Sequence, residues 1–105
     1  MKSLPISLRN VPLWKVIVQA AFEQYNKNAN LSDFLKTHPT PTDLLDAEYS
    51  DLVKMFHKYF FYRRVLKKLK ATAHVWYDDW KDLRELPCMN FFITKKVIEY
   101  LEHRI

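Results

Sequence analysis

The stretch DLVKMFHKYFFYRRVLKKLK, Asp51 to Lys70, decides how the chain is read. It holds five aromatic residues within seven positions, Phe56, Tyr59, Phe60, Phe61 and Tyr62. It also holds seven basic residues, Lys54, Lys58, Arg63, Arg64, Lys67, Lys68 and Lys70. At about 100° per residue, Leu52, Val53, Phe56, Tyr59 and Phe60 share one helical face. Tyr62, Val65, Leu66 and Leu69 make a second apolar stripe, rotated from the first by roughly a quarter to a third of a turn. Either the helix bends near Phe61–Arg63 or its halves pack against different neighbours. The lack of Pro and Gly favours the second, a long central helix.

The charge is concentrated in the same place. Seven cations against Asp51 give the stretch +6, while the whole chain carries +5. The remainder is close to self-neutralising. A solvated helix face accounts for such a run, with lysines gathered toward a C-terminus where the dipole favours cations. The sharper expectation is an electrostatic footprint for nucleic acid on Lys54, Lys58, Arg63, Arg64, Lys67, Lys68 and Lys70. Arginine forks at 63 and 64 suit phosphate geometry; the lysines act as point charges.

Working outward, what is missing constrains as much as what is present. The chain of 105 residues has no glycine, where about seven would be usual. Phosphate-cradling loops, dinucleotide fingerprints, nucleophile elbows and EF-hand loops all need glycine at defined places, so none is recognisable here. Tight two-residue hairpins are disfavoured too, which points to helices. A single cysteine, Cys88, precludes an internal disulfide and suggests a reducing compartment. No apolar run is long enough to span a bilayer, and the first residues lack the apolar core of a signal peptide. The expectation is an intracellular protein, cytoplasmic or nuclear, with no membrane partner.

Along the chain, residues 1–9 read as an extended or loosely ordered lead, and Asn10 as a helix cap with Pro12 in the first turn. Leu13 to Tyr25 is apolar around most of its circumference, the mark of a core helix. Asn26–Asn30 is a loop in which asparagines stand in for the missing glycines. Ser32 is expected to cap a short helix, Asp33–Thr37, ahead of the Pro39/Pro41 break. Thr42 or Asp43 is expected to cap a segment that can run into the central helix. Trp76, Tyr77, Trp80, Leu83 and Leu86 form a helical stripe ended by Pro87. This segment, 76–86, is acidic (Asp78, Asp79, Asp82 and Glu85 against Lys81 and Arg84) and is a candidate cover for the basic ridge. Asn90 caps the last helix, Phe91–Arg104.

Chemistry-bearing constellations are sparse. His38, His57, His74 and His103 show no ligand spacing with one another or with Cys88, so no metal site is expected. Asp78 and Asp79 diverge on a helix and are poorly placed to share a proton. Nothing local marks Cys88 as a nucleophile. The expectation is no enzyme activity and no cofactor. No segment carries the signature of a helix-turn-helix, homeodomain, zinc finger or RNA-binding sheet.

The resulting expectation is one all-α domain over residues 1–105, a compact bundle of four to five helices around a long basic and aromatic helix. Trp14, Phe22, Phe56, Trp76, Trp80 and Leu101 are its core. Its function is expected to be that of a small basic regulator binding nucleic acid, or a nucleic-acid-associated complex. The alternative is a protein-interaction module, an adaptor or inhibitor of viral or phage type, using Phe61 and Phe92 on otherwise polar faces. A homodimer is compatible with either.

Overall fold

A computed structural model of the chain describes residues 11–104, so the lead at 1–9 and the Asn10 cap lie outside the described residues. Six α-helices and one 3-10 turn follow in order, with no strand among the described residues. They are α1 (Val11–Glu23), α2 (Ser32–Thr37), α3 (Pro41–Asp46), α4 (Tyr49–Phe56), α5 (Tyr62–Val75) and α6 (Phe91–Arg104). The 3-10 turn is Leu83–Glu85. The expected four to five helices are thus six, and the all-helical class stands.

The long central helix expected over Asp51–Lys70 is instead two helices, α4 and α5, separated by a turn at residues 57–61. The cause is competition for backbone groups. In a continuous helix the Phe60 N–H would bond to the carbonyl of Phe56. Here it donates to Asn26 Oδ1 at 2.8 Å, while Asn26 Nδ2 donates to the Phe60 carbonyl at 3.3 Å. Tyr59 Oη ties the same turn to the next loop, donating to the Asn30 carbonyl at 3.2 Å and accepting from its N–H at 3.4 Å. Phe61 then takes the left-handed conformation, φ 59° and ψ 25°, and α5 starts on a new heading. The break produces the phase offset between the two stripes. It also removes Phe60 from the inward face assigned to it: that side chain is 73% exposed.

Other boundaries moved for similar reasons. Ser32 is the first residue of α2 rather than its cap; its N–H is received by Asn30 Oδ1 at 3.0 Å. Thr40, not Thr42 or Asp43, caps α3. Its hydroxyl accepts from Asp43 N at 3.1 Å while Asp43 Oδ2 accepts from Thr40 N at 3.0 Å, a capping box with Pro41 just inside the helix. Extended backbone at Ala47 and Glu48 separates α3 from α4. Asn90 caps α6 as expected, Oδ1 accepting from Ile93 N at 2.9 Å.

Segment 76–86 is not the expected α-helix. The Trp76 carbonyl accepts from the Trp80 indole Nε1 at 2.8 Å, so the side chain takes the acceptor that the Trp80 N–H would use in a helix. Glu85 Oε2 accepts from Asp82 N at 2.7 Å and Asp82 Oδ1 from Arg84 N at 2.8 Å, closing a box around the 3-10 turn. Even so, Trp76, Trp80, Leu83 and Leu86 are all buried; only Tyr77 of that stripe is exposed.

The core is one buried cluster in which α1 packs on α5 and α6, and α3 on α5. Trp14, Phe22, Phe56, Trp76 and Trp80 lie in it; Leu101 is half-buried at its edge. Trp14 meets Trp76 edge-on at 5.3 Å between centroids, and Phe22 stacks on Phe56 at 4.6 Å. Such pairs add about 0.5–1.5 kcal/mol each beyond their area burial.

Candidate functional site

On α5, Tyr62, Val65, Leu66, Leu69, Thr72 and Ala73 recur at helical spacing and turn inward; five of the six are fully buried and Tyr62 is half-buried. That leaves Arg63, Arg64, Lys67, Lys68, Lys70 and His74 on the remaining arc, in a helix with no acidic residue. Its first turn has no side-chain cap and carries two arginines. The positive end of the helix dipole and two cations therefore add together, an arrangement that disfavours the isolated helix and favours any bound anion.

Beside this arc runs an open groove of about 840 Å³. One wall is Arg63, Arg64, Lys67, Lys68 and Ala71 of α5; the other is the segment Pro87, Cys88, Met89 and Asn90, with Tyr25 at the end of α1. No carboxylate lines it. The second wall is held by polar contacts. Thr72, fully buried, donates from Oγ1 to the Lys68 carbonyl at 2.9 Å and accepts from Cys88 N at 3.0 Å. Asn90 Nδ2 donates to Gln24 Oε1 at 2.6 Å, joining this wall to α1. Burial pushes the Cys88 thiol up from its ordinary range, with the Thr72 hydrogen bond only partly opposing it. At neutral pH it is a packed thiol rather than a nucleophile.

One end of the groove is aromatic. The Phe61 ring meets Tyr25 edge-on at 4.9 Å, and the Arg64 guanidinium lies over the same ring at 5.2 Å. Phe61 is 54% exposed, so about half of its surface stays open beside these two contacts. Phe60 precedes it with its backbone held at both N–H and C=O by Asn26, whose Nδ2 also reaches the Phe22 carbonyl at 3.1 Å. A left-handed backbone costs a residue bearing a Cβ about 1–2 kcal/mol. In a chain without glycine that conformation falls on Phe61, and none of the loop asparagines expected to adopt it does so among the described residues.

The seven basic residues do not form one ridge. Arg63, Arg64, Lys67 and Lys68 share the groove. Lys54 and Lys58 line a separate depression of about 420 Å³ with Asp33, Phe34 and Tyr59. Lys70 is half-buried, with its Nζ 5.7 Å from the centroid of the Tyr49 ring. Phe61 is exposed beside the groove, but Phe92 is half-buried against the core under Lys96, and its neighbour Phe91 is the exposed ring of α6. The acidic segment does not line the groove. Among the described residues the two ion pairs are Arg84–Asp82 at 2.6 Å and Lys96–Glu23 at 3.9 Å, and neither draws on α5. Bonds from the Arg84 side chain and backbone hold the Asp82 carboxyl down at about 2.

Tyr25, Asn26 and Phe60 were not singled out by the sequence reading. That Phe60, Phe61 and Tyr62 cannot all face one core points to an outward ring, for which the expectation takes Phe61; Phe60 is exposed as well. Among the described residues no three His, Cys, Asp or Glu side chains gather in a way that could hold a metal ion. No helix among them is long and apolar enough to cross a membrane. Comparison with family models, with curated proteins and with solved structures finds no match in any of the three.

Proposed function

We propose that the protein is a small helical regulator that binds nucleic acid through the groove beside α5. The observation carrying this reading is that Arg63, Arg64, Lys67 and Lys68 line one groove with no carboxylate among its walls. Two features beyond charge support a binding surface over a solvated face. Two of them, Arg63 and Arg64, stand at an uncapped helix N-terminus, where they oppose the dipole in the absence of an anion. They also line an open groove whose opposite wall is fixed by Thr72 and Asn90. The lone, buried Cys88 suits a reducing intracellular compartment.

Fluorescence anisotropy with labelled oligonucleotides across a salt series tests the reading. Four phosphate contacts give log K a slope against log salt of about −3 on a single strand. Charge reversal at Arg63 and Lys67 abolishes binding, while reversal at Lys54 and Lys58, which lie in the other depression, leaves most of it. Unchanged affinity in the Arg63→Glu, Lys67→Glu protein refutes the reading.

A second reading is favoured by one observation. Phe91 of α6, 86% exposed beside Met89, lies outside the basic groove and offers an apolar anchor for a protein partner. That module would bind through aromatic contacts and be insensitive to the α5 charge reversals.

A further inference from the structure

The groove ends in rings, and that feature discriminates among nucleic acids. Phe61 touches Tyr25 and Arg64, and both of those residues line the groove. Its ring is therefore continuous with the cationic walls and remains about half open to solvent. Phe60, still more exposed, precedes Phe61 in the same fixed turn, held by Asn26 through two hydrogen bonds to its own backbone. A packed core gains nothing from an aromatic residue exposed to this extent. A ligand that offers flat apolar faces next to a charged backbone does.

Duplexes keep their bases paired and stacked, so a surface ring reaches a base face only by unstacking a step at a cost of about a few kcal/mol, and a regular duplex meets mainly the four cations. Unpaired bases have free faces, and aromatic side chains beside a basic track stack on them without regard to sequence. The cations span a short reach: Arg63 to Lys68 is about 8 Å along the helix axis. A footprint of a few nucleotides fits that length better than a full turn of duplex.

We infer that the ligand class is single-stranded nucleic acid, its backbone following Arg63, Arg64, Lys67 and Lys68 and its bases stacking on Phe61 and Phe60. This inference rests on the groove being the nucleic-acid site. The rings of the strand lie against a platform already set by the Asn26 clamp and the left-handed Phe61, so no turn needs ordering on binding. Arg64, over the Phe61 ring, links the stacked end to the phosphate track.

The test compares three labelled ligands of equal length at one low salt concentration: a single-stranded oligothymidylate, its duplex with oligoadenylate, and an abasic strand with the same phosphodiester backbone. Wild-type protein binds the oligothymidylate at least tenfold more tightly than the abasic strand or the duplex. Phe61→Gly, which removes the ring while suiting the left-handed backbone, and Phe60→Ala, at an exposed position, each reduce that preference by about fivefold or more. Far-ultraviolet circular dichroism confirms that both variants remain folded. Equal binding of all three ligands, with sensitivity to Arg63→Glu and Lys67→Glu intact, overturns the single-strand inference and leaves the groove as a general polyanion site. A preference that survives loss of both rings overturns the stacking assignment. No binding of any ligand at low salt overturns the groove reading itself, and the inference with it.

Discussion

Replacing Phe61 by alanine and, separately, by glycine isolates the energy of the turn that separates α4 from α5. Both substitutions remove the contacts with Tyr25 and Arg64. With about half of an aromatic side chain buried, that loss is roughly 2 kcal/mol. The alanine keeps a Cβ in the left-handed region at φ 59° and so retains a penalty of about 1–2 kcal/mol. Glycine is free of it, but its unfolded chain gains freedom worth about 0.4–1 kcal/mol. The glycine protein is therefore the more stable of the two by about 1 kcal/mol, which for a domain of this size is about 5 °C in Tm. Within an ordinary helix the order is reversed by a similar amount, so the sign is the diagnostic. Urea unfolding followed by tryptophan fluorescence measures it, since Trp14, Trp76 and Trp80 are all buried. An alanine variant as stable as the glycine variant, or more so, refutes the left-handed turn and, with it, the broken central helix.

The groove wall gives a second test: Thr72→Val leaves the Cys88 N–H without its acceptor and costs about 1–3 kcal/mol, whereas Thr72→Ser retains the hydroxyl and most of the stability, as chemical denaturation would read. Cys88, buried with its thiol pushed up, reacts slowly with an alkylating reagent at pH 8 in the folded protein and rapidly once the chain is unfolded; fast labelling of the native state contradicts the packing described. The Asp82 carboxyl, held down to about 2, contributes its support to the 3-10 turn above about pH 4 and loses it as pH falls toward 2. Its titration by carbon-detected NMR shows that midpoint, and Arg84→Ala moves it back toward the ordinary carboxylate range.

The sequence carried the fold class because glycine is absent and apolar spacing is helical nearly throughout. It carried burial better than conformation. Trp76, Trp80, Leu83 and Leu86 were correctly assigned inward although their segment is not an α-helix, because apolar side chains reach the same core from a turn once the Trp80 indole takes the Trp76 carbonyl. The central break was not legible, since it depends on Asn26 bonding to Phe60 from 34 residues away. Periodicity registers the phase offset but not the partner that produces it. The site was half legible for the same reason. Arg63, Arg64, Lys67 and Lys68 fall on one arc of α5 by spacing alone, whereas the separation of Lys54 and Lys58 follows from the turn. Tyr25 and the 87–90 wall come to the groove only through tertiary packing. The expectation of Phe92 on a polar face fails because α6, starting after the Asn90 cap, turns Phe92 toward the core and leaves Phe91 as the outer ring.

The central claim is that nucleic acid binds the α5 groove, and an amide chemical-shift titration of isotope-labelled protein with a short single-stranded oligonucleotide tests it most directly. The account predicts shifts concentrated on Tyr25, Phe60 to Ala71 and Cys88 to Asn90, fading as salt is raised, with Lys54 and its depression unaffected. Shifts centred on that other depression, or none at saturating oligonucleotide in low salt, would contradict it.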